Sequence, residues 1–192
     1  EILRDLSLSV SGLLSHKIGG PSVFPPMPAA SAAVNYNSSF KWKTSPGGDQ
    51  HRRGIYTFFK RTAPHPNLTT FDCPDSNVTC VKRTRSNTPI GALVTLNNPV
   101  YLEAAQSLTR RLLQGELKSD AERLRHAFRS CVARPPTEAE LARLEKLLKS
   151  SRDWYAGKPD EAAKALAIYQ PEVGKATEAA AWVATVRIIL NL

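Results

Sequence analysis

Six side chains between Arg52 and Arg85 have the chemistry of an anion- or partner-binding site: Arg52, Arg53, Tyr56, Arg61, Arg83 and Arg85. A guanidinium offers paired donors to carboxylate, sulfate or phosphate, and aromatic rings interleaved with arginine can stack on sugars or bases. The same arginines have a structural use. A long irregular segment leaves many backbone acceptors to satisfy, and arginine has five donors for them. Pairing with Asp5, Asp72 and Asp75 and with loop carbonyls is the reading we favour.

Asp72 and Asp75 could form a carboxylate pair for acid–base work. The run FDCPD also has the composition of an Asx turn around Pro74, and no activating partner for a nucleophile stands nearby. His51 and His65 read as isolated loop histidines. Tyr36, Trp42, Tyr56, Phe58 and Phe59 could make a stacking platform, although large rings are more often packed beneath a loop. Cys73 and Cys80 have six residues between them, so a disulfide is feasible in an oxidising compartment. Their spacing is not that of a metal site, and the absence of CxxCH means no covalently attached haem on this chain. Cys131 falls on the apolar face of an expected helix as a buried thiol.

These residues sit in a 192-residue chain of 42% hydrophobic content and net charge +9. Nine Lys or Arg stand against three Asp between Lys41 and Arg85. The excess suits an acidic partner, but no helix-turn-helix, zinc-finger or RNA-recognition signature supports nucleic acid. No apolar run is long enough to predict a transmembrane helix, and no signal peptide is legible. The chain opens at Glu1 rather than Met, and its last apolar helix stops without a polar tail. We therefore read it as one domain, or as the C-terminal part of a larger one.

The elements that must position the loop are helices. Ile2, Leu3, Leu6, Val10, Leu13 and Leu14 form one stripe over 2–14. Gly19-Gly20-Pro21 then breaks regular structure, and residues 15–86 read as an irregular wrapping arm and basic loop, with Gly54–Lys60 a short strand or one helical turn. Pro64 and Pro66 bracket His65 and argue against helix there. From residue 87 the pattern is a helical bundle. Asn87 or Thr88 caps a helix over 89–97 that carries Pro89 at its first position and ends near Asn97. Asn98-Pro99 opens the next, over 99–114, with Gly115 as its stop. Ser119 with Glu122 and Thr137 with Glu140 are capping boxes for helices over 119–133 and 137–152. Helices over 160–169 and 177–191 complete a mainly α domain with short antiparallel connections.

The phrases ILRDLSLSVSGLL, IGGPSV, RRGIYTFFKRT, FDCPDSNVTC, RTRSNTPIGALVTLNNPVYLEAAQSL and AFRSCVARPPTEAEL occur in this order. Together they resemble the C-terminal domain of unknown function of planctomycete surface proteins, across essentially the whole chain. The family has an amide side chain where this sequence has Gly91, an acid where it has Asn98 and a small residue where it has Cys73. The resemblance implies a secreted, periplasmic or cell-surface location and a neighbouring cytochrome c-like module that carries haem c. It implies no activity for named residues. The leading expectation is a non-enzymatic interaction or scaffold domain, whose partner is the upstream part of its own polypeptide or another protein subunit. An anionic, sulfated polysaccharide at the basic loop is the alternative. An enzyme acting on such a substrate through Asp72 or Asp75 is a third.

Overall fold

A computed structural model describes residues 1–28, 41–83, 86–166 and 176–192. The protein is mainly α. Eight α-helices occur among the described residues: α1 Ile2–Ser11, α2 Pro66–Thr70, α3 Pro89–Asn97, α4 Pro99–Gln114, α5 Asp120–Val132, α6 Glu138–Ala156, α7 Pro159–Leu166 and α8 Ala176–Ile189. No strand forms among them, and the only extended pairing is two isolated parallel bridges, Ser15 with Arg52 and Val23 with Thr57.

Helix α8 is the hub. Its sequence ATEAAAWVATVRII is apolar around most of its circumference, the pattern of a helix enclosed on several sides. Ala180, Ala181, Trp182 and Val186 are fully buried. The helix packs against α4, α6 and α7. Leu108, Leu112, Leu124, Phe128, Leu141, Leu144 and Leu148 close the same core from α4, α5 and α6. Small residues on one flank of α8 let its neighbours approach, and Trp182 fills the remaining volume. Trp182 Nε1 donates to Glu178 at 3.0 Å, so the buried indole keeps its hydrogen bond. Arg152 of α6 donates to both Asp120 of α5 and Glu178 of α8, which ties three helices at one edge.

Helix starts follow the expected chemistry. Thr88 accepts from Gly91 N–H at 3.1 Å, and Asn98 accepts from Val100 N–H at 3.1 Å. Both capping boxes form. Helix ends differ more. The first helix stops at Ser11 because Gly12 adopts a left-handed φ of 78° and returns its N–H to Leu8 and Ser9, leaving Leu13 and Leu14 beyond the helix. Helix α6 runs on to Ala156, past the expected 152. Helix α7 is described only to Leu166, so the expected end at 169 lies outside the described residues. A helix was not expected after Pro64, yet α2 starts with Pro66 in its first turn and His65 as its cap. Proline is favourable at that one helical position because its missing N–H would have been unpaired anyway.

The arm is docked through Val23, Phe24 and Trp42. Val23 exchanges backbone hydrogen bonds with Tyr56 and Phe58, both at 2.8 Å. The Phe24 ring lies between Trp42 and Phe58 with centroid distances of 5.1 and 5.0 Å. Trp42 Nε1 donates to Pro25 O at 2.8 Å. Over Gly54–Lys60 the chain makes one 3-10 turn, Gly54–Tyr56, and is then extended where Thr57 bridges Val23. Tyr36 lies outside the described residues.

Candidate functional site

Helix α1 meets the loop through its own polar residues. Arg4 is buried; its Nη2 donates to Gln50 O at 2.7 Å and its Nη1 to Arg52 O at 2.9 Å. Burial pulls the Arg4 guanidinium below its ordinary range, against the raising field of Asp5. Asp5 accepts Gly54 N–H on both carboxylate oxygens, at 2.8 and 2.9 Å. Its pKa is raised by burial, with the Gly54 N–H opposing. Gly54 is required by the approach: a Cβ there would lie 2.3 Å from Glu1 Cβ.

The arginines do not converge on one pocket. Arg52 is 1% exposed; its two Nη atoms donate to the Lys17, Gly19 and Pro21 carbonyls, while its buried Nε has no partner among the described residues. Its guanidinium lies 3.9 Å from the centre of the Tyr56 ring, and the Tyr56 hydroxyl accepts Gly19 N–H at 2.9 Å. Together Arg52 and Tyr56 knit the 17–21 turn to the loop. Arg53 is exposed. Arg61 donates to Asn77 at 3.1 Å. Arg83 pairs with both Glu1 oxygens at 2.8 and 3.0 Å, which lowers the Glu1 pKa. Arg85 lies outside the described residues.

The two carboxylates are separate turn-formers. Asp72, at a left-handed φ of 55°, accepts the Ser86 N–H at 2.7 Å together with the Ser86 hydroxyl. Asp75 accepts Asn77 N–H at 3.0 Å, an Asx turn, and this hydrogen bond holds its carboxyl below the usual range. Asn97 donates to Leu93 O within its own helix, while Asn87 is exposed before the Thr88 cap.

The histidines are not isolated. His51 Nε2 lies 3.0 Å from Glu103 Oε1 of α4. His65 is 2% exposed; its Nδ1 accepts Asn67 N–H at 3.3 Å and its Nε2 contacts Pro26 O at 3.1 Å. The second contact requires Nε2–H to donate, which fixes the neutral tautomer with Nδ1 as acceptor. A histidine cap has no local motif of the Ser-x-x-Glu kind, so sequence reading had no signal for it. Cys73 and Cys80 are free thiols on the loop, and Cys131 packs against the core, where burial pushes its thiol up to about 11. Among the described residues no group of three His, Cys, Asp or Glu side chains is placed to hold a metal.

A cleft and two exposed apolar helix faces stand out among the described residues. A cleft of about 1150 Å³ lies between the start of α1 and the 71–86 loop, with Ile2, Leu3 and Phe71 as its apolar lining. The Glu1–Arg83 and Asp72–Ser86 pairs and Lys82 complete it. On α3, PIGALVTLN buries only Gly91, against Phe71, while Ile90 and Leu93 are 65% and 59% exposed. On α1, Ile2 and Leu6 are 66% and 55% exposed.

The family model described as "PSD1: Protein of unknown function (DUF1553)" matches residues 1–148. The chain belongs to the DUF1553 family. No curated protein matches, and no solved structure does. In this DUF1553 chain the matched stretch holds the cleft, the arginine-laced loop and helices α1 to α5, together with α6 as far as Leu148. Helix α8 lies beyond it, yet α8 fills the core against α4 and α6. No helix of the described residues is long and apolar enough to cross a membrane.

Proposed function

We propose that this DUF1553 chain is a non-enzymatic interaction domain whose α1 and α3 faces are covered by another polypeptide, within a secreted or surface protein that also carries a cytochrome c-type module. The observation that carries it is α3. A nine-residue helix with five aliphatic residues, Ile90, Ala92, Leu93, Val94 and Leu96, in which only Gly91 is buried, has the composition of an enclosed helix and the exposure of an open one. Covering Ile90 and Leu93 would contribute about 1.5–3 kcal/mol each, which an aqueous surface forgoes. The exposed Ile2 and Leu6 of α1 are a second exposed apolar face. Three of the loop's charged side chains are engaged internally: Arg52 by carbonyls, Arg83 by Glu1 and Asp72 by Ser86. That pattern suits a scaffold holding its own shape. The secreted setting and the haem-bearing neighbour rest on the resemblance of the RRGIYTFFKRT and RTRSNTPIGALVTLNN phrases to planctomycete surface proteins.

A photo-crosslinking residue placed at position 93 in the source cells tests it. The expected product is one discrete crosslinked polypeptide, with a haem absorbance band in the same purified species. Only the uncrosslinked chain, with the same residue at the exposed position 153 as control giving an identical pattern, would remove the proposal.

A further inference from the structure

We infer that Asn77 is an acceptor for N-linked glycosylation, taking an oligosaccharide from a polyprenyl-diphosphate donor through a transferase that reads Asp75-Ser76-Asn77-Val78-Thr79. Three Asn-x-Ser/Thr triplets occur in the chain, at Asn37, Asn67 and Asn77. The stricter form of this signature adds an acid two residues before the asparagine, which a cation of the transferase reads. Asn35 precedes Asn37 and His65 precedes Asn67 at that spacing, whereas Asp75 precedes Asn77. The fold makes the same selection. Asn67 is 4% exposed within α2, its side chain accepts from Asn98 at 2.8 Å, and the next residue, Leu68, is 7% exposed. Asn37 lies outside the described residues. From Asp75 to Thr79 every residue is exposed, Val78 at 76%.

A transferase must draw the five residues out of their turn, and here that costs little. Ser76 holds a left-handed φ of 61°, and Asp75 accepts from the backbone and side-chain nitrogens of Asn77 at 3.0 and 3.1 Å. Arg61 donates to Asn77 Oδ1 at 3.1 Å. All three bonds lie at the surface, where water replaces them on opening, and no apolar side chain leaves the core. Presenting Asn67 would instead unwind α2 and expose Leu68. In the transfer, Asn77 Nδ2 forms a bond to C1 of the first sugar while the C1–O bond to the diphosphate breaks. The electron pair leaves with the polyprenyl diphosphate, and Nδ2 gives up one proton to the medium, so atoms and charge balance. Such transferases act outside the cytoplasm, so occupancy in the source cell rests on the secreted setting proposed above. The acceptor chemistry does not.

The folded 192-residue chain, incubated with a purified single-subunit oligosaccharyltransferase of the acid-requiring kind and its lipid-linked oligosaccharide, tests this. A short acceptor peptide in the same reaction shows that the enzyme is active. The expected product is the chain heavier by one oligosaccharide, which fragmentation of the tryptic peptide 62–82 places on Asn77. Thr79→Val, which keeps the shape and removes the hydroxyl, should abolish the product. Asp75→Asn retains an acceptor for the turn but loses the charge, and should slow transfer by about tenfold or more, the effect of losing one hydrogen bond to a charged group. A folded chain left unmodified while the acceptor peptide reacts would overturn the proposal. So would a glycan on Asn67, or Asp75→Asn reacting as fast as the parent. None of these results bears on the crosslink at position 93, so this inference and the interaction reading fail separately.

Discussion

Arg4 of α1 donates to the main-chain carbonyl of Arg52 at 2.9 Å, and the Arg52 side chain in turn donates into the 17–21 turn. Two buried arginines thus act in series, carrying α1 onto the loop and the loop onto the start of the arm. Main-chain carbonyls are the acceptors in both steps, those of Gln50 and Arg52 for Arg4 and those of Lys17, Gly19 and Pro21 for Arg52. The relationship explains why a basic segment need not be a basic surface.

Arg52→Lys is expected to destabilise the chain by about 0.5–1.5 kcal/mol for each hydrogen bond to the 17–21 carbonyls that an ammonium cannot remake. An ammonium can reach one or two carbonyls, but it cannot span three while lying flat over Tyr56. Arg53→Lys, at the adjacent exposed position, is expected to change nothing measurable. Urea unfolding of the two variants compares them directly. Equal midpoints would show that the buried fork is not what holds the turn.

Gly54→Ala puts a methyl group 2.3 Å from Glu1 Cβ and 3.0 Å from Glu1 Cα. The contact includes backbone, so a side-chain rotation cannot relieve it. Helix α1 must shift, and both Asp5 hydrogen bonds to Gly54 N–H weaken with it. We expect a loss of about 1–3 kcal/mol, typical of overpacking. Amide hydrogen exchange should show α1 opening faster while α8 keeps its protection. Unchanged exchange in α1 would contradict the approach described here.

Much of this scaffold was legible in the sequence. Thr88, Asn98, Ser119 and Thr137 announce helix starts because a cap needs a side-chain oxygen just before the first turn to accept an N–H two or three residues on. The buried stripe of α4 and the apolar run of α8 follow from periodicity and composition. The loop was legible only as a loop. Whether Arg83 meets Asp75 or Glu1 depends on how α1 docks, an approach set by Gly54 and by contacts some fifty residues apart, which no local pattern encodes. The His51–Glu103 and His65–Pro26 contacts were missed for the same reason: each joins distant parts of the chain. The openness of α3 was also hidden, since apolar composition ordinarily implies burial.

His65 should make folding sensitive to mild acid. Its neutral ring both caps α2 and holds Pro26, and burial keeps its pKa below the ordinary 6.5. A depressed folded-state value contributes stability above the unfolded pKa and loses it as pH falls through the folded one. The urea midpoint is therefore expected to fall as the pH drops below about 6.5, the unfolded value, and through the lower folded one. His65→Gln, less stable at neutral pH, should lack that part of the pH dependence. Parallel pH profiles for the two proteins would refute the assignment.

Asn98 separates a cap from a cross-link. Its Oδ1 accepts Val100 N–H at 3.1 Å to start α4, while its Nδ2 donates to the buried Asn67 at 2.8 Å. An aspartate keeps the first role and gains from the helix N-terminus. It loses the donor, but rotating the Asn67 amide by half a turn presents an N–H to the new carboxylate instead. Asn98→Asp is therefore expected to lie within about 0.5 kcal/mol of the parent, the range of a neutral substitution. Asn98→Ala removes both contacts and should cost about 0.5–2 kcal/mol for the cap alone. Chemical denaturation of the two variants decides it: an aspartate as damaging as alanine would mean that Asn67 cannot turn, and that its amide is held by the packing of α2 rather than by Asn98.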